Sequence, residues 1–548
     1  MAPLTPQSSV AALRARVLHG LRHSIDVVRR QGPSQFQFWL IALIIGVAAG
    51  FAALGFRKGI HALERWAYGA PDTQAMHSFA ATLPWQLLLA VPIAGGLATG
   101  AILHVFTRDA RARAVADVIE GAALRDGRVE TRAGLASAAA SLITLGTGGS
   151  SGREGPVVHL AAVISTWVCR RINASGMTGR DLLGCAVAAA VSASFNTPIA
   201  GALFALEVVL RHFAVHAFAP IVIASVAGTI INRLAFGDVT EFVLPGSRVL
   251  QFYVELPAFM LLGLCCGLVA VILMRAIFWA DDLGNYAVLR FGVPRWLRPA
   301  LAGALLGALA IVFPHIIGVG YETTSRALTG QLLLWQAIVF AMVKTVALAI
   351  TMAGRMGGGV FSPSLMVGAL TGLAFGIIAT GIFPDVSGTP TLYALAGMGA
   401  VAAAVLGAPI STTLIVFELT GDWQTGLAVM VAVSLSTALA SRLVDRSFFL
   451  TQLERRGVRL AAGPQAYLPG MIAVSGLMRR APPVPLDPGQ LHLTPGDTLE
   501  QAIPMFEAAQ CDVLPVAERG QIVATLRQVD ALKAFAQALS ATAAEEHS

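Results

Sequence analysis

Residues 146–171 read GTGGSSGREGPVVHLAAVISTWVCRR. Arg153 and Glu154 stand between glycines and Pro156, and a mostly apolar segment follows. Proline fits the first turn of a helix, where its missing N–H has no intrahelical acceptor to lose. The glycines free the backbone and leave N–H groups uncovered. The stretch therefore predicts a helix starting near Pro156, whose free N–H groups and dipole form an anion site. A carboxylate in such a loop competes with the anion for the same N–H groups. Ionised, Glu154 would block the path; neutral or displaced, it would open it. An ionisable group in apolar context is a functional candidate by default. Two bland alternatives stand beside this: an ion pair between Arg153 and Glu154, and an ordinary capped helix in a packed core. A phosphate-binding loop would need a Gly-Lys-Ser/Thr ending, which is missing here.

The surrounding chain sets the context. Of 548 residues, 56% are hydrophobic and 13% charged, against about a quarter charged in soluble domains. This composition predicts a multi-pass integral membrane protein. Apolar segments recur between residues 36 and 444. Several are shorter than the roughly 20 residues of a simple span, or are broken by Gly and Pro. Broken backbone at membrane depth is tolerated only where it is buried in protein or lines a wet cavity. The breaks are therefore where function is expected.

The breaks also repeat. NTPIAGALFALE (196–207) matches GAPISTTLIVFE (407–418) at Pro, Ile, Leu and Glu, and GREGP (152–156) shares a Gly-x-x-x-Pro frame with GVFSP (359–363). The offsets agree, with 363 − 156 = 207 and 409 − 198 = 211. Two halves with paired breaks point to a transporter whose site lies where the breaks meet. Sequence leaves open whether the halves run parallel or inverted.

The net charge is +7, with basic stretches at LRARVLHGLRHSIDVVRRQG (13–32) and SRLVDRSFFLTQLERRGVR (441–459). Basic flanks stay cytoplasmic, so both termini are expected inside. Residues 1–34 are expected to be a cytosolic amphipathic segment, not a cleaved leader. The charge tracks the membrane boundaries, which makes nucleic-acid binding the weaker explanation. Cys169, Cys185, Cys265, Cys266 and Cys511 have no metal-ligand spacing, and no metal or cofactor is expected. After residue 457 the chain turns Pro-rich, then reads helix, strand, turn, strand, helix. The expected organisation is a membrane domain over 35–457 and a linker with a small cytosolic α/β tail over 458–548.

GREGP (152–156), FNTPIAGALFALE (195–207), GGGVFSPSLMVGA (357–369) and AGMGAVAAAVLGAPISTTLIVFELT (396–420), in that order, resemble the CLC family of chloride channels and chloride/proton antiporters. The resemblance covers most of residues 36–457. It implies an all-α polytopic membrane fold with an inverted repeat and broken, re-entrant helices. It implies a homodimer in a lipid bilayer, here a bacterial inner membrane, with one pore per subunit. Glu154 would be the external gating glutamate. Gly152, Arg153, Gly155, Gly359, Val360 and Phe361 would hold chloride or a similar small anion.

Three positions depart from the family pattern. The second, proton-passing glutamate of the antiporters falls on Val208, beside a structural Glu207. An apolar residue there resembles the family's channels. The serine of the inner anion loop falls on Arg113, in ARAVADVIEGA (112–122). Arg113 is either a fixed cation at the anion site or part of a basic run with Arg108 and Arg111. The tyrosine near the last membrane helix falls on Phe449, which has no hydroxyl. The tail resembles a single degenerate CBS repeat, and Ala524 and Arg527 stand where its nucleotide pattern has Gly and Ser/Thr. That argues against nucleotide binding.

The expected function is chloride transport, channel-like or proton-uncoupled, gated by a glutamate. The alternatives are a chloride/proton antiporter with a non-standard inner proton route and a non-conducting anion sensor. An enzyme built on His159 and Glu154 lacks any accompanying nucleophile or metal motif and is not expected.

Overall fold

The computed structural model describes residues 33–70, 75–174, 176–213, 215–237, 252–458, 460, 468–487, 489–518 and 520–546. The expected N-terminal amphipathic segment lies almost wholly outside them. Eight described helices are long and apolar enough to cross a membrane, and short helices lie between them. Gln35–Tyr68 shows how local chemistry sets the ends of a span. Ser34 and Gln37 form a reciprocal capping box at its start, and Gly69 closes it in the left-handed conformation at φ 73°.

The two halves pair element by element. Helix Trp85–Phe106 packs on helix Arg298–Val312. A Cβ at Gly96 would lie 2.3 Å from the Pro299 carbonyl oxygen, and one at Gly303 would lie 2.1 Å from that of Pro92. The contact is reciprocal, and only glycine permits backbones to approach so closely. Helices Gly176–Phe195 and Pro390–Leu406 occupy equivalent places at the centre. Both are almost wholly buried and, apart from Arg180 and Asp181 near the start of the first, carry no charge, as buried helices require.

Seven helices position the site and tail. They are α1 (Val115–Leu124), α2 (Glu154–Ile172), α3 (Pro198–Phe204), α4 (Phe361–Ile382), α5 (Pro409–Thr420), α6 (Phe448–Glu454) and, in the tail, α7 (Leu499–Ala509). The halves meet at an antiparallel bridge. The Gly152 N–H donates to the Gly359 carbonyl at 2.7 Å, and the Gly359 N–H donates to the Gly152 carbonyl at 2.7 Å. A second reciprocal contact joins α3 and α5. Glu207, past the end of α3, accepts from the N–H groups of Ile410 and Ser411 at 2.9 and 2.8 Å. Glu418, near the end of α5, accepts from those of Ile199 and Ala200 at 2.9 and 2.8 Å. Each carboxylate satisfies orphan donors at the start of its counterpart helix. Such mutual capping requires the two helices to run antiparallel, so the repeat is inverted.

The tail carries strands β1 (Arg479–Pro485), β2 (Val513–Glu518) and β3 (Gln521–Arg527), in the order β1-β3-β2. β1 comes from the Pro-rich stretch read above as linker. Proline is tolerated there because β1 is an edge strand, and its pairing slips between Arg480 and Val484. Val474, Leu499, Phe506, Val516 and Leu526 form the tail's own core.

Candidate functional site

α2 begins at Glu154 and α4 at Phe361, each just after a bridge glycine. The turn before α4 runs through Gly357 at φ 87° and Gly358 at φ 121°, a region where only glycine is unstrained. A Cβ at Gly358 would also sit 2.0 Å from the Ser151 hydroxyl oxygen. Pro156 and Pro363 fall in the first turns of their helices, where proline costs nothing. Two helix N-termini thus meet inside the protein, both with N–H groups that have no acceptor in their own helix.

The two charges of the GREGP stretch turn to different partners. Arg153 donates to the Ser194 carbonyl at 2.8 Å, and its guanidinium lies 5.1 Å from the Tyr321 ring centroid. It lines a cavity of about 40 Å³ with Glu64, His77, His315 and Glu322. Glu154 crosses to the other half. Its carboxylate accepts from the Ser362 hydroxyl and, at 3.4 Å, from the Ser362 N–H. A Cβ at Gly152 would come 2.6 Å from that carboxylate, so glycine there makes its room. Glu154 is 2% exposed. Its carboxylate therefore sits at the N-terminus of α4, where the dipole and N–H groups favour an anion.

Beside Glu154 lies a cavity of about 20 Å³, walled by Gly155, Gly359, Val360, Phe361 and Phe449 among others. That is room for little more than one water-sized sphere. Phe361 is fixed by rings on both sides. It stacks on Phe204 at 5.7 Å and meets Phe195 at 4.8 Å between centroids. Phe449 meets Phe448 edge-on at 5.8 Å. The structure thus brings Gly152, Arg153, Glu154, Gly155, Gly359, Val360, Phe361 and Phe449 to one place. A wider cavity of about 690 Å³ follows, walled by Asp109, Arg111, Arg355 and Arg455. Ala114, Met352, Gly358, Phe448 and Gln452 belong to both walls.

Arg113 and Val208 are not in these walls. The Arg113 guanidinium pairs with Asp109 at 2.8 Å and Glu130 at 3.1 Å, and the Arg113 backbone N–H donates to the Ser137 hydroxyl at 2.8 Å. Its neighbours Ala112 and Ala114 line the wide cavity instead. Burial would raise the Asp109 carboxyl, but the hydrogen bonds and charges of Arg113 and Arg111 outweigh it and hold the group below its ordinary range. Val208 lies buried in a π-helical turn, Ala205–Leu210, that follows α3. His159, on α2, is 1% exposed, and neither ring nitrogen has a hydrogen-bond partner among the described residues.

Two polar residues of the site escaped the sequence argument. Ser362 follows Phe361 directly, and a hydroxyl in a helix's first turn was the available signal. Gln452 stands one turn beyond Phe449, a polar residue on a face that is otherwise aromatic.

Known proteins resemble the chain in sequence and in fold. The family model for voltage-gated chloride channels matches residues 95–441. The chain is 34% identical over 397 residues to a ClcB-like chloride channel protein of Ralstonia nicotianae, covering 72% of this chain and 91% of that protein. It is 30% identical over 422 residues to the voltage-gated ClC-type chloride channel ClcB of Escherichia coli, covering 76% and 98%. Among solved structures, a slow cyanobacterial Cl−/H+ antiporter superposes with a TM-score of 0.67 at 20% identity, covering 76% of this chain and 97% of that one. A eukaryotic CLC transporter superposes with a TM-score of 0.66 at 18% identity, covering 92% and 98%.

Proposed function

The chain belongs to the voltage-gated chloride channel (CLC) family of membrane anion transporters, and from that premise we propose that it passes chloride without obligatory proton exchange, gated by Glu154. One observation carries the gate. The Glu154 carboxylate, supplied by one half, rests on the Ser362 donors of the other, at a helix N-terminus suited to an anion. A chloride ion and this carboxylate compete for one place. Uncoupled flow is supported by Val208, which cannot carry a proton between Glu154 and the tail side. On this reading the protein is a transporter and not an enzyme. It works as a homodimer in a bacterial inner membrane, with both termini cytoplasmic. Residues 35–457 form the pore domain and 458–548 the linker and CBS-like tail.

Proton-coupled exchange is the second reading, and His159 favours it. This buried imidazole sits on the Glu154 helix within electrostatic range of Asp117 and Glu130. One experiment separates the two. Purified protein in liposomes holding a chloride gradient is given valinomycin, and chloride efflux and external pH are recorded together. Chloride efflux with no proton movement is the expected result. A fixed opposing proton flux would overturn uncoupled transport and turn attention to His159. No efflux at all would favour a non-conducting sensor.

A further inference from the structure

The cavity beside Glu154 has two polar side chains in its wall, Glu154 itself and Gln452; the rest are glycine, alanine, valine, methionine and phenylalanine. Gln452 follows Phe449 by three positions on α6, which puts both on one helix face. It also lines the 690 Å³ cavity. It therefore stands where an ion leaving the narrow cavity regains its water. Its carboxamide makes no hydrogen bond to another described residue. A carboxamide brings two N–H donors and no net charge. It can hold an anion without the tight grip of a fixed cation, and weak sites suit a conducting path. The arginines that share the wide cavity's wall are engaged elsewhere: Arg111 and Arg456 pair with Asp117, Arg455 pairs with Asp282, and Arg355 donates to the Asp109 carbonyl and Asn285.

We propose that Gln452 is the anion donor at the junction of the two cavities, its side-chain N–H group binding a chloride-sized anion and setting selection among small monovalent anions. This supplies the donor that Phe449 lacks, and it rests on the transport reading above.

The test uses the full-length protein, with Gln452→Leu and the near-isosteric Gln452→Glu. Chloride binding is measured by titration calorimetry in detergent, and the chloride-to-nitrate flux ratio in liposomes. Gln452→Leu is expected to weaken chloride binding roughly tenfold, the loss of one hydrogen bond to a charged group, and to shift the flux ratio. Gln452→Glu places a like charge at the junction and is expected to bind and pass still less chloride. A merely structural role would leave the flux ratio unchanged. If Gln452→Leu does not fold, Gln452→Glu, which keeps the shape, carries the test. Wild-type protein that moves chloride, with either folded variant matching it in affinity and flux ratio, overturns the role of Gln452 alone. Wild-type protein that neither binds nor moves chloride overturns the transport reading and this role with it.

Discussion

The two helix N-termini at the Gly152–Gly359 bridge share one backbone design and differ in their first residue. α2 opens with Glu154 and α4 opens with Phe361. The carboxylate rests on the Ser362 donors, where the proposed gate would exchange it for an anion, whereas the aromatic ring packs against Phe195 and Phe204. At α3 and α5 the halves do the opposite. They keep the same residue, Glu207 and Glu418, in the same reciprocal contact. Where the halves agree, they build scaffold. Where they differ, one half acts and the other holds.

The scaffold contact should show the largest effect. Glu207→Ala and Glu418→Ala each leave two N–H groups at a helix start without their carboxylate, and Glu207→Ala also frees the rotatable Ser411 hydroxyl. Each is expected to destabilise the protein by about 3 kcal/mol, at about 1–3 kcal/mol for each unsatisfied buried group. Thermal unfolding in detergent should show similar drops for the two variants. A large drop for one and none for the other would break the symmetry between them.

The gate comes next. A carboxylate held by charge-assisted bonds worth about 1.5–3 kcal/mol occupies its site more than about nine-tenths of the time. Glu154→Ala is therefore expected to raise chloride flux at neutral pH about tenfold or more and to flatten its pH dependence. Phe361→Ala, at the counterpart position, should leave the pH dependence intact. If both variants flatten it, the division of labour between the halves is wrong. Ser362→Ala removes only the hydroxyl and keeps the N–H. The closed state should lose one of its two bonds, roughly half of the low end of the figure for the Glu154 carboxylate, and flux should rise about threefold. Flux unchanged in Ser362→Ala would mean that the N–H groups alone hold the gate.

Much of this was legible in the chain. The repeat showed because Gly and Pro are demanded by backbone geometry, at Gly152, Pro156, Gly359 and Pro363, and so survive in both halves. The inversion was legible only through the family resemblance, not from the repeat itself. Two halves of like sequence look the same whichever way they are folded, and only the crossed contacts of Glu207 and Glu418 reveal the direction. The anion loop was read as a carboxylate over N–H groups, but its donor, Ser362, comes from a residue 208 positions away from Glu154. Gln452 was hidden because its significance depends on which face of α6 meets the cavity. β1 was hidden by its prolines, which read as linker until an edge position excuses them.

Arg113 gives the smallest effect and a last contrast between the halves. Its place 207 positions later is taken by Gly320, at φ 91° before the helix Tyr321–Leu328. The first half has a cation there and the second has no side chain at all. A cation facing the anion path would have set the two halves apart as strongly as Glu154 does. Its guanidinium instead lies among Asp109, Asp117 and Glu130. Arg113→Ala is therefore expected to change chloride flux less than about twofold, as for a partly exposed ion-pair cluster. The pairing also has a pH window. The Asp109 carboxyl is held below its ordinary value of 3.8. Its contribution is then complete above that value and is lost only as pH falls through the lower, folded-state value. In a Glu154→Ala background, flux should stay flat from pH 7 down to about pH 4, the ordinary aspartate range. A tenfold change in flux in Arg113→Ala, or a titration well above pH 4 in the Glu154→Ala background that Arg113→Ala removes, would put this cation back on the ion path.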